Sequence, residues 1–225
     1  MTLGDGRSRG GKVRVKTAKR RSNSSNRWLE RQLNDPYVVA AKAAGYRSRA
    51  AFKLKELDQQ FNLLGQVERV VDLGAAPGGW CQIVLERRPR ARVVGIDLLP
   101  IEPIAGVTLF EKDILDDDSE DLLREAIGGP ADLVMSDMAA NTVGHQATDH
   151  LRTMGLIEAG LDMATRLLRP GGNFVAKVLA GGGDGALTAM LKQNFQTVKH
   201  VKPPASRKGS SEWYVVAQGF KGADG

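Results

Sequence analysis

Three acids that each follow an apolar run, and one lysine that interrupts another, are the residues of this chain whose types and spacing suggest chemistry. Asp72 closes the run in "VVDLGAAPGGW" (residues 70–80), Asp97 closes "ARVVGID", and Asp113 follows "LFEK". Taken singly, an acid in such a place is more often a turn former or a helix cap. Three of them around a glycine-rich loop indicate a ligand site instead. Gly74, Gly78 and Gly79 let the backbone approach a ligand closely, and Pro77 stiffens the turn. A carboxylate at Asp97 can accept hydrogen bonds from ribose hydroxyls, and Asp113 lies where an adenine amino group would be reached, so the expected ligand is a nucleoside. The loop does not follow GxGxxG cleanly, and nothing in the chain matches GxxxxGK[ST]. An acid ahead of the glycines repels a pyrophosphate and attracts a cation, which suits S-adenosylmethionine, with its sulfonium and ammonium groups, better than NAD. Lys177 stands inside "NFVAKVL", where a lysine is costly unless paired.

The elements that must position these residues alternate along the chain. Residues 28–65 look helical, with breaks near Asn34, Asp35 and Pro36 and again near Gly45. Runs rich in Val, Ile and Leu predict strands at about 67–73, 92–97, 107–110, 131–137 and 173–179, and two more near 196–202 and 212–219. Helices are predicted between them at about 79–88, 118–127, 148–168 and 184–194. This alternation implies a doubly wound α/β domain, its sheet covered by helices on both faces and its ligands at the carboxyl ends of the strands.

Composition bounds the rest. A chain of 225 residues with 42% hydrophobic and 26% charged residues is that of a soluble globular protein with one sizeable core. No apolar stretch reaches the roughly 18 residues of a membrane span, and no secretory segment opens the sequence. Lone Cys81 excludes an internal disulfide framework and a cysteine-based zinc site, and His145, His150 and His200 have no metal-ligand spacing. Hence no metal is expected, and a cytoplasmic location is the simplest. Nine of the 32 basic residues but one of the 26 acids fall in residues 1–27, leaving 23 basic against 25 acidic residues in the body. That tail is too polar to offset its conformational entropy by burial, so a disordered segment binding phosphate backbones is expected. A solubilising extension and a targeting peptide are the alternatives. No heptad or long exposed apolar strip argues for an obligate partner, so a monomer is expected.

The stretches "RSRAAFKL", "VVDLGAAPGGW", "DLLP", "VMSDMA" and "PGGNFVAKV" together resemble the RrmJ/FtsJ ribose 2′-O-methyltransferases, most of all the bacterial enzymes acting on large-subunit ribosomal RNA. The resemblance runs from "NRWLERQLNDPYVV" to "SEWYVVAQGF" and leaves out mainly the basic tail. It implies a Rossmann-like class I fold with a mostly parallel seven-stranded sheet, S-adenosylmethionine as cofactor, and methylation of a ribose, a uridine in those enzymes, that supports late ribosome maturation. It also implies a catalytic set at Lys53, Asp137, Lys177 and Glu212, and cofactor contacts at Gly78, Trp80, Asp97, Asp113 and Asp137. Two departures stand out: Ala140 where the family often has Pro, and the glycine-rich "VLAGGGDG" after Lys177.

Methyl transfer from a sulfonium to a hydroxyl requires in-line alignment and removal of a proton. Lys177 is the expected proton acceptor, although a charged Lys177 that only orients the oxygen stays open, since the reference lysine pKa is about 10.4. Lys53 is expected to hold ribose and phosphate, with Asp137 and Glu212 orienting the lysines. Basic residues Lys42, Arg47, Arg49, Lys53 and Lys55, with Lys199, Lys202, Arg207 and Lys208, are expected to flank the mouth and grip an RNA strand. Transfer RNA or a messenger cap are alternative acceptors. A non-catalytic ribosome-assembly factor would not need Lys177 and Asp137, and an NAD-dependent oxidoreductase should show a cleaner pyrophosphate loop.

Overall fold

Apolar β-branched runs bounded by Gly, Pro and charged residues give five strands that run parallel: β1 (Arg69–Leu73), β2 (Arg92–Asp97), β3 (Val107–Glu111), β4 (Ala131–Ser136) and β5 (Leu168–Leu179). β6 (Phe195–Val201) and β7 (Glu212–Phe220) close one side, with β7 antiparallel to both β5 and β6. The coordinates are those of a computed structural model, and they describe residue 30 and residues 33–140, 146–179 and 185–222. The sheet order is β3-β2-β1-β4-β5-β7-β6. The chain winds outward from β1 to β3 and returns to β4 on the other side of β1. The order therefore reverses between β1 and β4, which opens a crevice at their carboxyl ends. Helices α1 (Pro36–Ala43) and α2 (Ala50–Phe61) precede the sheet. The connections carry α3 (Gly79–Arg87), α4 (Ser119–Ile127), α5 (Gln146–Leu167) and α6 (Gly185–Asn194).

These elements match the expected ones except that β5 begins at Leu168, within the stretch expected to end a helix. Leu168 pairs with Ala131, and the register then shifts between Ala131 and Leu133. Pro170 and Gly171, the latter at φ +79°, occupy the irregular part. The segment thus enters the sheet, leaves its regular ladder and re-enters at Asn173. Asp132 braces this amino edge by accepting hydrogen bonds from the amides of Glu68 (2.7 Å) and Arg69 (2.8 Å) and from Arg169 Nε (2.6 Å).

Period-two alternation divides the core between the two faces of the sheet. Val175, Tyr214 and Val216 face Leu54 and Leu57 of α2 and Trp80 of α3. Phe174, Ala176, Val215 and Ala217 face Ala164 and Leu167 of α5 and Leu187 of α6. Burying each large aliphatic side chain stabilises the fold by about 1.5–3 kcal/mol, so these two layers supply most of what holds the sheet in place.

The N-terminal helices are fastened to the opposite end of the chain by two acids. Asp35, buried, caps α1 through the amide of Tyr37 (3.0 Å) and pairs with Arg49 Nε (3.0 Å) and Arg207 Nε (3.2 Å). Glu56 accepts from Tyr37 Oη (3.0 Å) and from the amide of Ala205 (2.6 Å). Residues 1–27, expected as a basic tail, lie outside the described residues.

Candidate active site

The glycine loop forms where β1 ends. The amides of Gly74 and Ala75 both donate to the carbonyl of Ile96 (2.8 and 3.1 Å), which fixes the loop against β2. Gly74 adopts φ +75°, and a Cβ there would come within 2.5 Å of Met138 Cγ and 3.1 Å of its Cα. Only glycine fits, because both the dihedral and the neighbouring backbone exclude a side chain. Beside this loop lies a cavity of about 270 Å³, lined among others by Gly74, Asp97, Asp113, Ile114, Asp137 and Met138. The loop holds Asp97 in turn: its two oxygens accept from the amides of Ala76 (2.9 Å) and Leu99 (2.9 Å). Asp113 accepts from the amide of Leu115 (3.0 Å). A carboxylate oxygen has two acceptor sites, so both acids keep capacity toward a ligand. Beneath the loop Asp72 is buried. Cys81 Sγ donates to its Oδ2 (3.2 Å), while its Oδ1 has no hydrogen-bond partner among the described residues. Burial raises its pKa to about 7, with Asp137 and Asp97 adding to the rise and the Cys81 bond opposing it.

Asp137, one residue past β4, joins this cavity to a cluster of lysines. Its Oδ1 accepts from Tyr214 Oη (2.6 Å) and lies 2.9 Å from Lys177 Nζ, which also donates to the Asp137 carbonyl (2.7 Å). Lys53 Nζ donates to Tyr214 Oη (3.0 Å), pairs with Glu212 Oε1 (2.8 Å) and lies 4.0 Å from Asp137 Oδ1. Ser206 Oγ steadies Glu212 from behind (2.9 Å). Two lysine side chains and two acidic side chains thus alternate around one phenol. The elements explain the arrangement. Lys53 shares the inward face of α2 with Ala50, Leu54 and Leu57, and it is 5% exposed. Lys177 stands opposite Tyr214 and Leu179 opposite Glu212 in the antiparallel ladder of β5 and β7, so all three functional groups share one face. Burial lifts the Tyr214 phenol well above its usual pKa, reinforced by Asp137 and Glu212, so it stays protonated at neutral pH and donates to Asp137.

The expected catalytic residues Lys53, Asp137, Lys177 and Glu212 therefore converge, and Asp97, Asp113 and Asp137 line one cavity. Gly78 and Trp80, the other two expected cofactor contacts, sit at the start of α3. Gly78, at φ +103°, is the N-cap of α3 and packs toward Ile104 and Arg47. The Trp80 side chain is buried, donates from Nε1 to the Ala50 carbonyl (2.8 Å) and meets the Tyr214 ring at 5.8 Å. Neither is among the residues that line the cavity. What Trp80 can offer a ligand is its backbone, with the indole serving the core. Most side chains of the expected basic rim also make contacts within the fold. Arg47 donates to the carbonyls of Pro77 (3.2 Å), Glu102 and Pro103 (2.7 Å). Arg49 and Arg207 are held by Asp35, Lys55 pairs with Glu86 (2.9 Å), and Lys202 donates to the Ser210 carbonyl (2.6 Å). Lys42, Lys199 and Lys208 are exposed. Residues 180–184, within the glycine-rich departure after Lys177, lie outside the described residues.

Tyr214 and Ser206 were not anticipated. Strand alternation carries a signal for the first, since position 214 must share a face with Glu212. Nothing local marks Ser206.

Comparison with known proteins bears on the family and the fold. Residues 46–220 match the FtsJ-like methyltransferase family. The Ribosomal RNA large subunit methyltransferase E of Novosphingobium aromaticivorans is 67% identical over 209 residues, covering 93% of this chain and 94% of that protein. Its counterpart in Sphingopyxis alaskensis is 66% identical over 220 residues, covering 97% and 96%. Among solved structures, a putative ribosomal RNA methyltransferase from Plasmodium falciparum superposes with a TM-score of 0.70 at 31% identity, covering 79% of this chain and 100% of that one.

Proposed function

The chain belongs to the FtsJ-like methyltransferase family, and from that premise we propose that it methylates a ribose 2′-hydroxyl, that of a uridine, in large-subunit ribosomal RNA. The observation that carries this reading is the double position of Asp137, which lines the cavity and holds Lys177 at 2.9 Å. A donor group held in the cavity and an acceptor oxygen held by the lysines would meet at that carboxylate.

The cavity residues fit S-adenosylmethionine. Three carboxylates suit a cationic nucleoside and disfavour a pyrophosphate, Asp97 and Asp113 retain acceptor capacity, and bare Gly74 leaves the loop open to close approach. When bound, that cofactor supplies a methyl group activated by a sulfonium. Asp97 then holds the ribose hydroxyls and Asp113 the base. Lys53, fixed by Glu212 and Tyr214, holds the acceptor ribose and its phosphate. Lys177, in the fraction of its population that is a neutral amine, would align the 2′-hydroxyl and receive its proton as the oxygen takes the methyl group and the donor is left as a neutral thioether. The Lys177–Asp137 ion pair favours a second reading, in which Lys177 remains an ammonium and only orients the oxygen. A pH profile of the chemical step separates the two. A limb present in the wild type and lost in Lys177→Arg supports the proton acceptor, and the same limb in both supports orientation. The work of such an enzyme belongs in the cytoplasm, where large subunits mature.

The deciding experiment offers labelled S-adenosylmethionine with unmodified large subunits, their extracted RNA, or transfer RNA, and uses Lys177→Ala as control. Label in the large-subunit samples, mapped to a 2′-oxygen and absent with the variant, is the expected result. Label only in transfer RNA would overturn the substrate. Cofactor binding without any transfer would favour an assembly factor.

A further inference from the structure

At the amino edge of the sheet, opposite the acids and lysines, a concavity of about 620 Å³ is lined by Arg69, Arg87, Arg88, Arg90 and Arg92, with Glu68 as its one acid. The five guanidinium groups come from the start of β1, the end of α3 and the start of β2. This is not the general basicity of the protein, since the body outside residues 1–27 holds fewer basic than acidic residues.

Part of the cluster has a structural role. Arg88 donates to the carbonyls of Gly65 (3.0 Å) and Val67 (3.2 Å), and Arg92 reaches the Ile127 carbonyl (3.4 Å) at the end of α4. Arg87 lies 3.7 Å from Asp58. Cations at helix carboxyl ends are favoured by roughly 0.3–1 kcal/mol each, which accounts for Arg88 and Arg92. It does not account for Arg69 and Arg90, neither of which has a carboxylate partner among the described residues. A guanidinium carries five N–H donors, so even the committed arginines keep donors free. The concavity is left with excess positive charge and planar donor forks, a combination that matches phosphate oxygens.

We propose that this concavity binds the phosphodiester backbone of RNA at a place separate from the strand that enters the active site. The proposal rests on the reading of large-subunit RNA as substrate. Strands of five or six residues set the two edges roughly 16–20 Å apart through the sheet. Phosphates held at both edges must therefore come from separate parts of a folded RNA. The contact positions the enzyme on a folded substrate without reading sequence, and it does not touch a short acceptor strand.

The test compares wild type with Arg69→Gln/Arg90→Gln and with the exposed single variant Arg90→Glu, all checked for equal thermal unfolding. Binding by filter retention and methyl transfer are measured on assembled large subunits, on protein-free large-subunit RNA and on a short fragment spanning the methylated ribose, across salt concentrations. The expected result is about a tenfold rise in Kd and KM for the long RNA, with its salt slope shallower by about 1–2 in the double variant. Turnover, cofactor affinity and the short fragment are unaffected. Unchanged binding of the long RNA overturns the proposal, as does an equal loss on the short fragment. A loss seen only with assembled subunits also overturns it and assigns the concavity to an acidic protein surface. If the wild type transfers no methyl group to the subunits or to either RNA, the functional reading fails, and filter retention still reports separately on the arginines.

Discussion

At the scale of single residues, Tyr214 is the hub of the site. Its phenol donates a hydrogen bond to Asp137 and accepts one from Lys53, so it sets the spacing between the two lysine–carboxylate pairs. Tyr214→Phe keeps the packing and removes both bonds. Hydrogen bonds to charged groups contribute about 1.5–3 kcal/mol each, partly recovered here by the remaining ion pairs. We expect a lower unfolding temperature and a fall in turnover of about tenfold, the equivalent of 1.4 kcal/mol in the barrier; full turnover in the Phe variant would remove Tyr214 from the positioning of the site. Asp72 makes a second prediction. Its folded pKa, about 7, lies above the unfolded value near 3.9, so the folded state binds the extra proton. This group's contribution to stability is complete below about pH 4 and is lost as pH rises toward 7. Chemical denaturation of wild type and Asp72→Asn across that range should show the variant gaining on the wild type by a few kcal/mol in all, roughly, with a plateau above pH 7. A constant difference between the two would mean that Asp72 ionises normally.

Among elements, the strands were legible because valine and isoleucine runs end at acids and glycines, and the loop after β1 because its glycines stand beside those acids. Lys53 was legible only through family resemblance, although its place among Ala50, Leu54 and Leu57 on one helical face marks it as turned inward. The irregular start of β5 was hidden, since "RPGG" reads as a turn and the pairing of Leu168 with Ala131 depends on a neighbouring strand. The surroundings of the Trp80 side chain were hidden for a related reason. Sequence places that residue beside the loop, but the direction of α3 decides where its side chain points. The loop itself can be tested through Gly74→Ala. The new methyl group meets Met138 Cγ and the Met138 backbone in a left-handed conformation, so something must shift. Strain of that kind costs about 1–3 kcal/mol. Cofactor affinity, measured by calorimetry, should fall at least tenfold, more than the stability loss alone would produce; a variant that binds normally would show that Met138 yields freely.

For the whole molecule, charge is divided between a basic N-terminal segment and a slightly acidic body that carries its own arginine-lined concavity. Removing residues 1–27 should weaken RNA binding and flatten its dependence on salt without altering cofactor affinity. Unchanged salt dependence would dismiss a role for that segment in binding. A deeper cut behaves differently. The family match begins at residue 46, and every catalytic candidate lies beyond it. A chain starting there would nonetheless lose Asp35, the acid between Arg49 and Arg207, and with it the bolt that joins the helices before the sheet to the loop leading into Glu212. Two half-buried cations would lose their shared counterion, a defect smaller than the roughly 3–5 kcal/mol of a fully buried pair that loses one member, because water reaches both. The working boundary of the enzyme is thus drawn by an electrostatic clasp rather than by where its shared motifs begin: trimming to residue 28 should spare catalysis, and trimming to residue 46 should not.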